Sequence, residues 1–232
     1  MAEELGKIEK PAVEDFKKGR KLYFVPLIFG GDDAPPEYMD RYNRYWEQVE
    51  NQIKDLESKL GQISRIYHEM VAFSGDEGIK TIESISDKSF KITKIRLDSG
   101  AQIEAAEENE ILTEFIDWRR CLSIGLHNQK VFNNVYESFT EANKARNQSI
   151  VGCIDQTLKS DEAGILFMQE GHQIQFPSDI EVFYVAPPAL DEINRWMRDQ
   201  QNRPMDSSEP EKEPEPDNDS KTEDKPKTKK KK

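Results

Sequence analysis

Hydrophobic residues between positions 128 and 197 follow a helix–strand–turn–strand–helix order, and the rest of the chain is organised around this stretch. Two apolar bursts, at residues 164–168 and 180–185, predict strands that a polar turn joins into a hairpin. A proline pair then opens a last helix. Before the strands, helical spacing over Asn128–Leu158 places one group of apolar residues near a single face: Val131, Val135, Phe139, Ala142, Ile150, Ile154 and Leu158. This order of elements is typical of an α/β domain.

A second long helix is predicted over residues 37–60. Its apolar residues recur at alternating spacings of four and three, which is a heptad seam: Tyr42, Trp46, Val49, Ile53, Leu56 and Leu60. Gly61 would end this helix. The favoured interpretation packs the seam on the protein's own sheet or on the other long helix. The alternative is an intermolecular coiled coil.

Shorter patterns predict the remaining elements. Aromatic and β-branched residues over Lys21–Phe29 indicate a strand, and Pro26 within it favours an edge position or a bulge. A second strand is predicted over Ile63–Phe73, followed by a turn over 74–78 and a short helix. Alternation of apolar and polar residues over Phe90–Leu97 predicts a half-buried strand. An acidic helix over 104–118 and a break near Gly125 complete the pattern.

These elements predict an α/β fold with a small mixed sheet packed by two long amphipathic helices. Residues 1–20 would form a flexible arm. Residues 21–125 would form either a domain or the first half of one, and residues 126–202 the helix–strand–strand–helix unit. Residues 203–232 contain five prolines and no aromatic residue, so they should remain a disordered, charged tail.

The composition narrows the possible functions. The net charge is −12, and because the final 30 residues hold nine acidic and nine basic residues, the whole excess lies on residues 1–202. Such an acidic body disfavours broad nucleic-acid binding. Two cysteines fit a reducing compartment. We expect a soluble, cytoplasmic protein, since the chain has neither an apolar leader nor an apolar run long enough to span a membrane.

Catalytic patterns are missing from the sequence. No glycine-rich phosphate-binding motif occurs, and the histidines (His68, His127 and His172) form no metal-binding pair. Asp32 and Asp33 leave a carboxylate site open as an alternative. Cys121 next to a basic pair is interpreted as structural. The sequence therefore predicts no catalytic residue, cofactor or metal.

Basic residues offer a candidate binding surface on this acidic chain. If they share a face, an island suited to RNA or to an acidic partner would consist of Arg119, Arg120, Lys130, Lys144 and Arg146. The alternative is that these residues form an ordinary solvated face.

One resemblance adds to this picture. The run from Ile150 to Met168, with Arg146-Asn147-Gln148 before it and residues 176–180 after it, resembles bacterial and archaeal relatives of eukaryotic-type peptide chain release factors. The resemblance implies an α/β domain that works on or near the ribosome. Release-active members carry a Gly-Gly-Gln loop, and this sequence has Gly100-Ala101-Gln102 instead. No catalytic residue is carried over.

The leading hypothesis is a non-catalytic interaction protein that binds a protein, the ribosome or RNA. Two alternatives stay open. One is a hydrolase related to the release factors, and the other is a helical scaffold that self-associates through the seam into a homo-oligomer.

Overall fold

The computed structural model describes residues 18–31, 33–171 and 173–202. The predicted tail lies outside these residues, as do Asp32, His172 and most of the predicted arm. Within the described ranges, five strands and six helices follow one another along the chain: β1 (Arg20–Pro26), α1 (Pro36–Leu60), β2 (Ile63–His68), α2 (Gly75–Ile85), α3 (Asp87–Asp98), β3 (Gln102–Ile103), α4 (Asn109–Ser123), α5 (Gln129–Thr157), β4 (Ala163–Met168), β5 (Ile180–Tyr184) and α6 (Pro188–Gln201).

The strands form one sheet in the order β3-β2-β4-β1-β5, and every pairing is parallel. The predicted α/β class is confirmed, but the sheet is parallel and not mixed. The hairpin prediction is wrong because β1 lies between β4 and β5. Tyr23 of β1 is opposite Ile165 on one side and Phe183 on the other. The sheet thus draws its strands from both halves of the chain.

The position of β1 also corrects the prediction made from Pro26. The strand is interior and not at an edge, and Pro26 is its last residue. A proline at this place interrupts little of the ladder. Backbone pairing continues past it, since the Leu27 N–H donates to the Met168 carbonyl at 2.9 Å.

Helices cover both faces of the sheet. Tyr23 and Val25 point into a core shared with α1, α2, α3 and α6, whereas Leu22 and Phe24 point to the opposite face, where α5 packs. Strands buried on both faces need nearly continuous apolar sequence. This requirement explains why the apolar bursts, and not alternation, identified β1 and β4.

The heptad seam of α1 lies against the sheet. Tyr42, Trp46, Val49, Ile53 and Leu60 are buried in the first core, and Leu56 packs against it while half-buried. The favoured interpretation of internal packing is confirmed. Because the seam is covered by the protein's own sheet, it does not offer a surface for an intermolecular coiled coil.

The predicted strand over Phe90–Leu97 is wrong, since these residues belong to α3. The Ser86 hydroxyl caps this helix by accepting from the Ser89 N–H at 3.3 Å. Burial then follows helical spacing, at Ser89, Ile92, Thr93 and Arg96. Two further corrections are local: the predicted turn at 74–78 is the start of α2, and the short strand β3 had not been predicted.

The long helix α5 matches its prediction closely. Asn128 caps it, as its side-chain oxygen accepts from the N–H groups of Lys130 and Val131 at 3.0 and 3.2 Å. The predicted apolar face is buried only in the C-terminal part of the helix, at Ala142, Ile150, Ile154 and the flanking Leu158. Val131, which lies on the same predicted face near the start of the helix, is exposed.

Candidate functional site

Helices α4 and α5 pack against each other as a helical hairpin. Gly125, with φ of +75°, lies in the turn between the two helices, where a break had been predicted. Phe115 and Phe139 pack together with ring centroids 5.5 Å apart. Beyond this contact the hairpin is solvated, since none of residues 116–141 is buried.

Four large apolar side chains are exposed near the end of the hairpin, and we call them the tip patch: Ile124, Val131, Phe132 and Tyr136. Ile124 is 73% exposed and Tyr136 is 54% exposed. The rings of Phe132 and Tyr136 stack on each other, with centroids 5.9 Å apart, and cover nothing else in the core. The stacked pair is a cluster of exposed apolar groups, and such clusters mark binding surfaces more often than scattered residues do.

Basic residues border the tip patch. Residues 118–136 contain Arg119, Arg120 and Lys130 but no Asp or Glu, in a chain with a net charge of −12. All three basic residues are exposed. Arg120 forms an ion pair with Asp117 at 3.5 Å, and both side chains are about three-quarters exposed, so solvent screens the pair strongly. The tip is therefore a positively charged end of an acidic molecule.

The two other residues predicted for the basic island lie elsewhere. Lys144 is exposed on α5, two helical turns beyond Tyr136, toward the sheet. Arg146 is only 5% exposed, and it does not belong to a binding surface. Its guanidinium lies 4.5 Å from the centroid of the Phe115 ring and faces the interior. The prediction for Arg146 is thus corrected, because acidic residues inside the protein neutralise its charge.

Those acidic residues are Glu69 and Glu107. The Glu107 carboxylate accepts from Arg146 Nε at 2.6 Å and from the Met70 N–H at 2.6 Å. Glu69 is the weaker partner, with 3.4 Å to Arg146 Nη2, and it also accepts from the Gln169 N–H at 3.0 Å. These bonds tie together the segments that follow β2, β3 and β4.

The charges in this buried cluster are unequal, with two carboxylates against one guanidinium. Burial raises the pKa of Glu69, and attraction to Arg146 offsets this effect only in part. Burial alone would lower the pKa of Arg146, but hydrogen bonding to Glu107 raises it. The cluster is closed to solvent, since Glu69 and Glu107 are 4% and 3% exposed. It therefore acts as a structural clamp.

A cleft opens beside the same helix, between α5 and residues 173–175, with a volume of about 610 Å³. Its walls are mainly hydroxyl and amide side chains, which run from Thr140 to Asp155 on α5. Asn147 lines the cleft and is 8% exposed, yet its Oδ1 atom has no hydrogen-bond partner within the described chain. An unsatisfied buried oxygen of this kind costs about 1–3 kcal/mol.

Two of the remaining candidates, His68 and Gln102, have structural partners among the described residues. His68 is buried, with Nδ1 2.7 Å from the Glu69 carbonyl and Nε2 3.0 Å from Ser89 Oγ, and burial lowers its pKa to about 4. Cys121 and Cys153 are free thiols, and burial raises the pKa of Cys153. Gln102 Oε1 accepts from Arg65 at 3.0 Å. No group of three or more potential metal ligands occurs in the described ranges.

Sequence reasoning missed the tip patch and the cleft. A signal for the patch was present, because Phe132 and Tyr136 are large aromatic residues that lie off the predicted apolar face of α5. No comparable signal existed for the cleft. It depends on how residues 173–175 approach Asn147, and this is a tertiary contact.

Comparison of the chain with models of protein families, with curated proteins and with solved structures found no match. In the part of the chain that the structure describes, no helix is both long and apolar enough to cross a membrane.

Proposed function

We propose that this chain is a non-catalytic binding protein that docks an acidic protein partner on the tip of the α4–α5 hairpin. One observation carries the proposal: residues 118–136, which hold the exposed tip patch, contain three cations and no carboxylate, on a chain with a net charge of −12. Aromatic residues and arginine supply most of the binding energy in protein interfaces. A partner with an apolar surface and an acidic rim is complementary to this tip.

A protein partner fits the tip better than RNA does. Single-stranded RNA binds through stacking of bases on aromatic rings and through phosphate contacts. The rings of Phe132 and Tyr136 already stack on each other. Ile124 and Val131, which are 73% and 46% exposed, have no π face on which a base could stack, whereas the core of a protein–protein interface accepts apolar groups of either kind.

Docking of two tips against each other is disfavoured. Arg119, Arg120 and Lys130 of one copy would face the same cations of a second copy, and like charges across an interface cost affinity. The proposal therefore differs from self-association through the α1 seam, which is covered by the sheet.

A cytoplasmic location is part of the proposal. Cys121 and Cys153 are both free thiols, which is typical of proteins in a reducing compartment. A ribosomal location, which the release-factor resemblance implies, stays a prediction. It would be one particular setting for the acidic partner.

Site-specific photo-crosslinking tests the proposal. Tyr136 is replaced by p-benzoylphenylalanine, and Tyr184 on the edge strand provides the control, since the two tyrosines are 54% and 45% exposed. Illumination in cells should give a defined protein adduct from position 136 that is absent from position 184. The adduct should survive ribonuclease treatment. An adduct that ribonuclease removes, or the same adducts from both positions, would contradict the proposal.

Affinity measurements with the captured partner then test the chemistry. Phe132→Ser should weaken binding roughly tenfold or more, because it removes an aromatic anchor. Arg119→Glu should slow association and weaken its dependence on salt. Val182→Ser on the edge strand, with 43% exposure, is the matched control and should leave the affinity unchanged.

A further inference from the structure

The chain contains a segment whose charge is complementary to the tip. Residues 209–219, in the charged tail, have the sequence EPEKEPEPDND, with six carboxylates and one lysine. The tip has the opposite charge, because residues 118–136 contain three cations and no carboxylate. Complementary charges steer association and fix its register. The chain therefore carries its own copy of the acidic chemistry that the tip is proposed to bind.

The segment also offers apolar groups that suit the exposed rings of the tip. Phe132 and Tyr136 are 38% and 54% exposed, and their rings stack on each other. Proline-rich segments bind aromatic surfaces in several recognition modes, since the fixed φ of proline lowers the entropy cost of binding. Residues 209–219 contain three prolines between the carboxylates. The prolines match the aromatic pair while the carboxylates match the cations.

The segment is long enough to span the hairpin of its own molecule. Helix α5 has 29 residues and is therefore about 43 Å long. Asp219 lies 17 residues beyond Asn202, the last described residue, so an extended chain carries it up to about 56 Å away. A covalent link of this kind holds the segment near the tip at an effective concentration of about 1 mM. Even weak contacts are then occupied within one molecule.

Charge also selects one part of the tail. Residues 225–232 contain six lysines and no carboxylate, so the cations of the tip repel them. Residues 209–219 are attracted to the same cations. The tip should thus bind the acidic half of the tail and leave the lysine-rich half outside the contact.

We infer that residues 209–219 dock on the tip of the α4–α5 hairpin of the same molecule and compete there with an acidic partner. The carboxylates lie beside the three cations of the tip, and the prolines cover its aromatic pair. The inference rests on the proposed function for the docking surface and adds its regulation. The tail lowers the apparent affinity of the tip, and a stronger acidic partner displaces it.

Carbodiimide crosslinking of the complete chain tests this contact without any partner. The reagent joins a lysine amine to a carboxylate in contact with it, and mass spectrometry maps the product. Lys130 should form adducts with residues 209–219 about fivefold more often than Lys144 does. Lys144 is the matched control, because both lysines are exposed on α5. In a mixture of isotope-labelled and unlabelled chains, the Lys130 adducts should join residues of one molecule.

Two variants that keep Lys130 test the apolar part of the contact. Phe132→Ser should lower the yield of the Lys130 adducts about threefold, because the prolines lose an aromatic surface. Val182→Ser is the control, since Val182 has a similar exposure of 43% but lies on β5. This control should give the wild-type yield.

A synthetic peptide of residues 206–220 tests the competition. It should bind about fivefold more tightly to a complete chain with a neutralised segment than to the wild type, whose own segment occupies the tip. The neutralised chain carries four substitutions: Glu209→Gln, Glu211→Gln, Glu213→Gln and Glu215→Gln. The inference is overturned if the two chains bind the peptide equally, if Lys130 and Lys144 give equal yields, if the adducts join different molecules, or if Phe132→Ser changes nothing.

These measurements separate the tail contact from the proposed function. A partner adduct at position 136 without enrichment of tail adducts at Lys130 would overturn the tail contact and leave partner docking intact. Enrichment at Lys130 without any partner adduct at position 136 would support the tail contact and contradict the proposed docking of a partner.

Discussion

The two halves of α5 differ sharply, although they belong to one continuous helix. In the half near the sheet, Ile150 and Ile154 are fully buried and Arg146 is clamped by two carboxylates. In the half near the tip, residues 129–141 include no buried side chain, while Phe132 and Tyr136 are exposed. The half near the sheet therefore contributes to the core, whereas substitutions in the half near the tip should cost little stability.

This division has an energetic consequence. Substitutions at buried, packed sites usually cost several kcal/mol, whereas substitutions at exposed sites cost less than about 0.5 kcal/mol. Matched substitutions in the two halves should therefore separate stability from binding. Urea unfolding measures the first, and affinity for the captured partner measures the second.

The largest effect is expected at the clamp. Arg146→Met should lower the free energy of unfolding by about 3–5 kcal/mol, because Glu69 and Glu107 would stay buried without a counter-charge. Arg119→Met is the control, since Arg119 also lies near the Phe115 ring, at 5.8 Å, but is exposed. Its cost should stay within about 0.5 kcal/mol. An equal loss of unfolding free energy in the two variants would contradict the distinction between the two halves of α5.

Truncation of apolar side chains should show the same contrast between the two halves, with a somewhat smaller difference in the free energy of unfolding. Ile154 is fully buried against the sheet, so Ile154→Ala should cost about 2–5 kcal/mol through lost transfer free energy and the cavity that remains. Val131→Ala at the tip should cost less than about 0.5 kcal/mol in urea unfolding. A large cost at Val131 would mean that the tip packs on the body.

The sequence predicted one half of this comparison better than the other. The end of α5 near the sheet follows a simple rule, as helical spacing of apolar residues indicates a buried face at Ile150 and Ile154. Asn128 likewise marks the start of the helix by local chemistry. Charge alone could not show that Arg146 is internal, because its partners Glu69 and Glu107 are remote in sequence.

The order of the strands in the sheet was harder to predict from the sequence than the strands and helices themselves. The segments of β4 and β5 were located by their apolar runs, but nothing local shows that β1 inserts between them. The α3 segment failed for another reason. Its alternating pattern over Phe90–Leu97 suits a strand, yet the Ser86 cap and burial at spacings of three and four residues favour a helix. The cleft could not be predicted, since it forms only when distant segments meet.

The comparison of buried and exposed regions also applies to the pH dependence of stability, because the chain has a histidine in each region. The folded pKa of His68 is about 4, below the usual value of 6.5, because burial disfavours its charged form. A depressed histidine pKa stabilises the fold above pH 6.5, and this stabilisation is lost as the pH falls toward 4. We therefore expect His68 to contribute a loss of up to about 3 kcal/mol across that window.

Urea unfolding at pH values from 7 to 4 measures this contribution, and His68→Gln should flatten the profile. Glu69 acts in the opposite sense, since its raised pKa favours the fold at low pH and loses that effect as the pH rises. Glu69 is present in both proteins, so its contribution cancels when the free energy of unfolding of His68→Gln is subtracted from that of the wild type at each pH. His127→Gln, at the exposed tip, should keep the wild-type profile. An unchanged profile in His68→Gln would show that His68 is not the acid-sensitive group.

The smallest effect is expected where α5 begins. Asn128→Ala removes the side-chain oxygen that accepts from the N–H groups of Lys130 and Val131, and loss of such a cap costs about 1 kcal/mol. Because no residue between 116 and 141 is buried, the loss should appear as local fraying and leave global unfolding nearly unchanged. Amide hydrogen exchange should therefore accelerate about fivefold over residues 129–133, whereas the rates near Ile154 stay constant. Asn134→Ala removes no cap and replaces an exposed residue by a better helix former, so it should not accelerate exchange in either region. Faster exchange throughout α5 would instead show that the two halves unfold as one cooperative unit, and this would contradict the distinction between them.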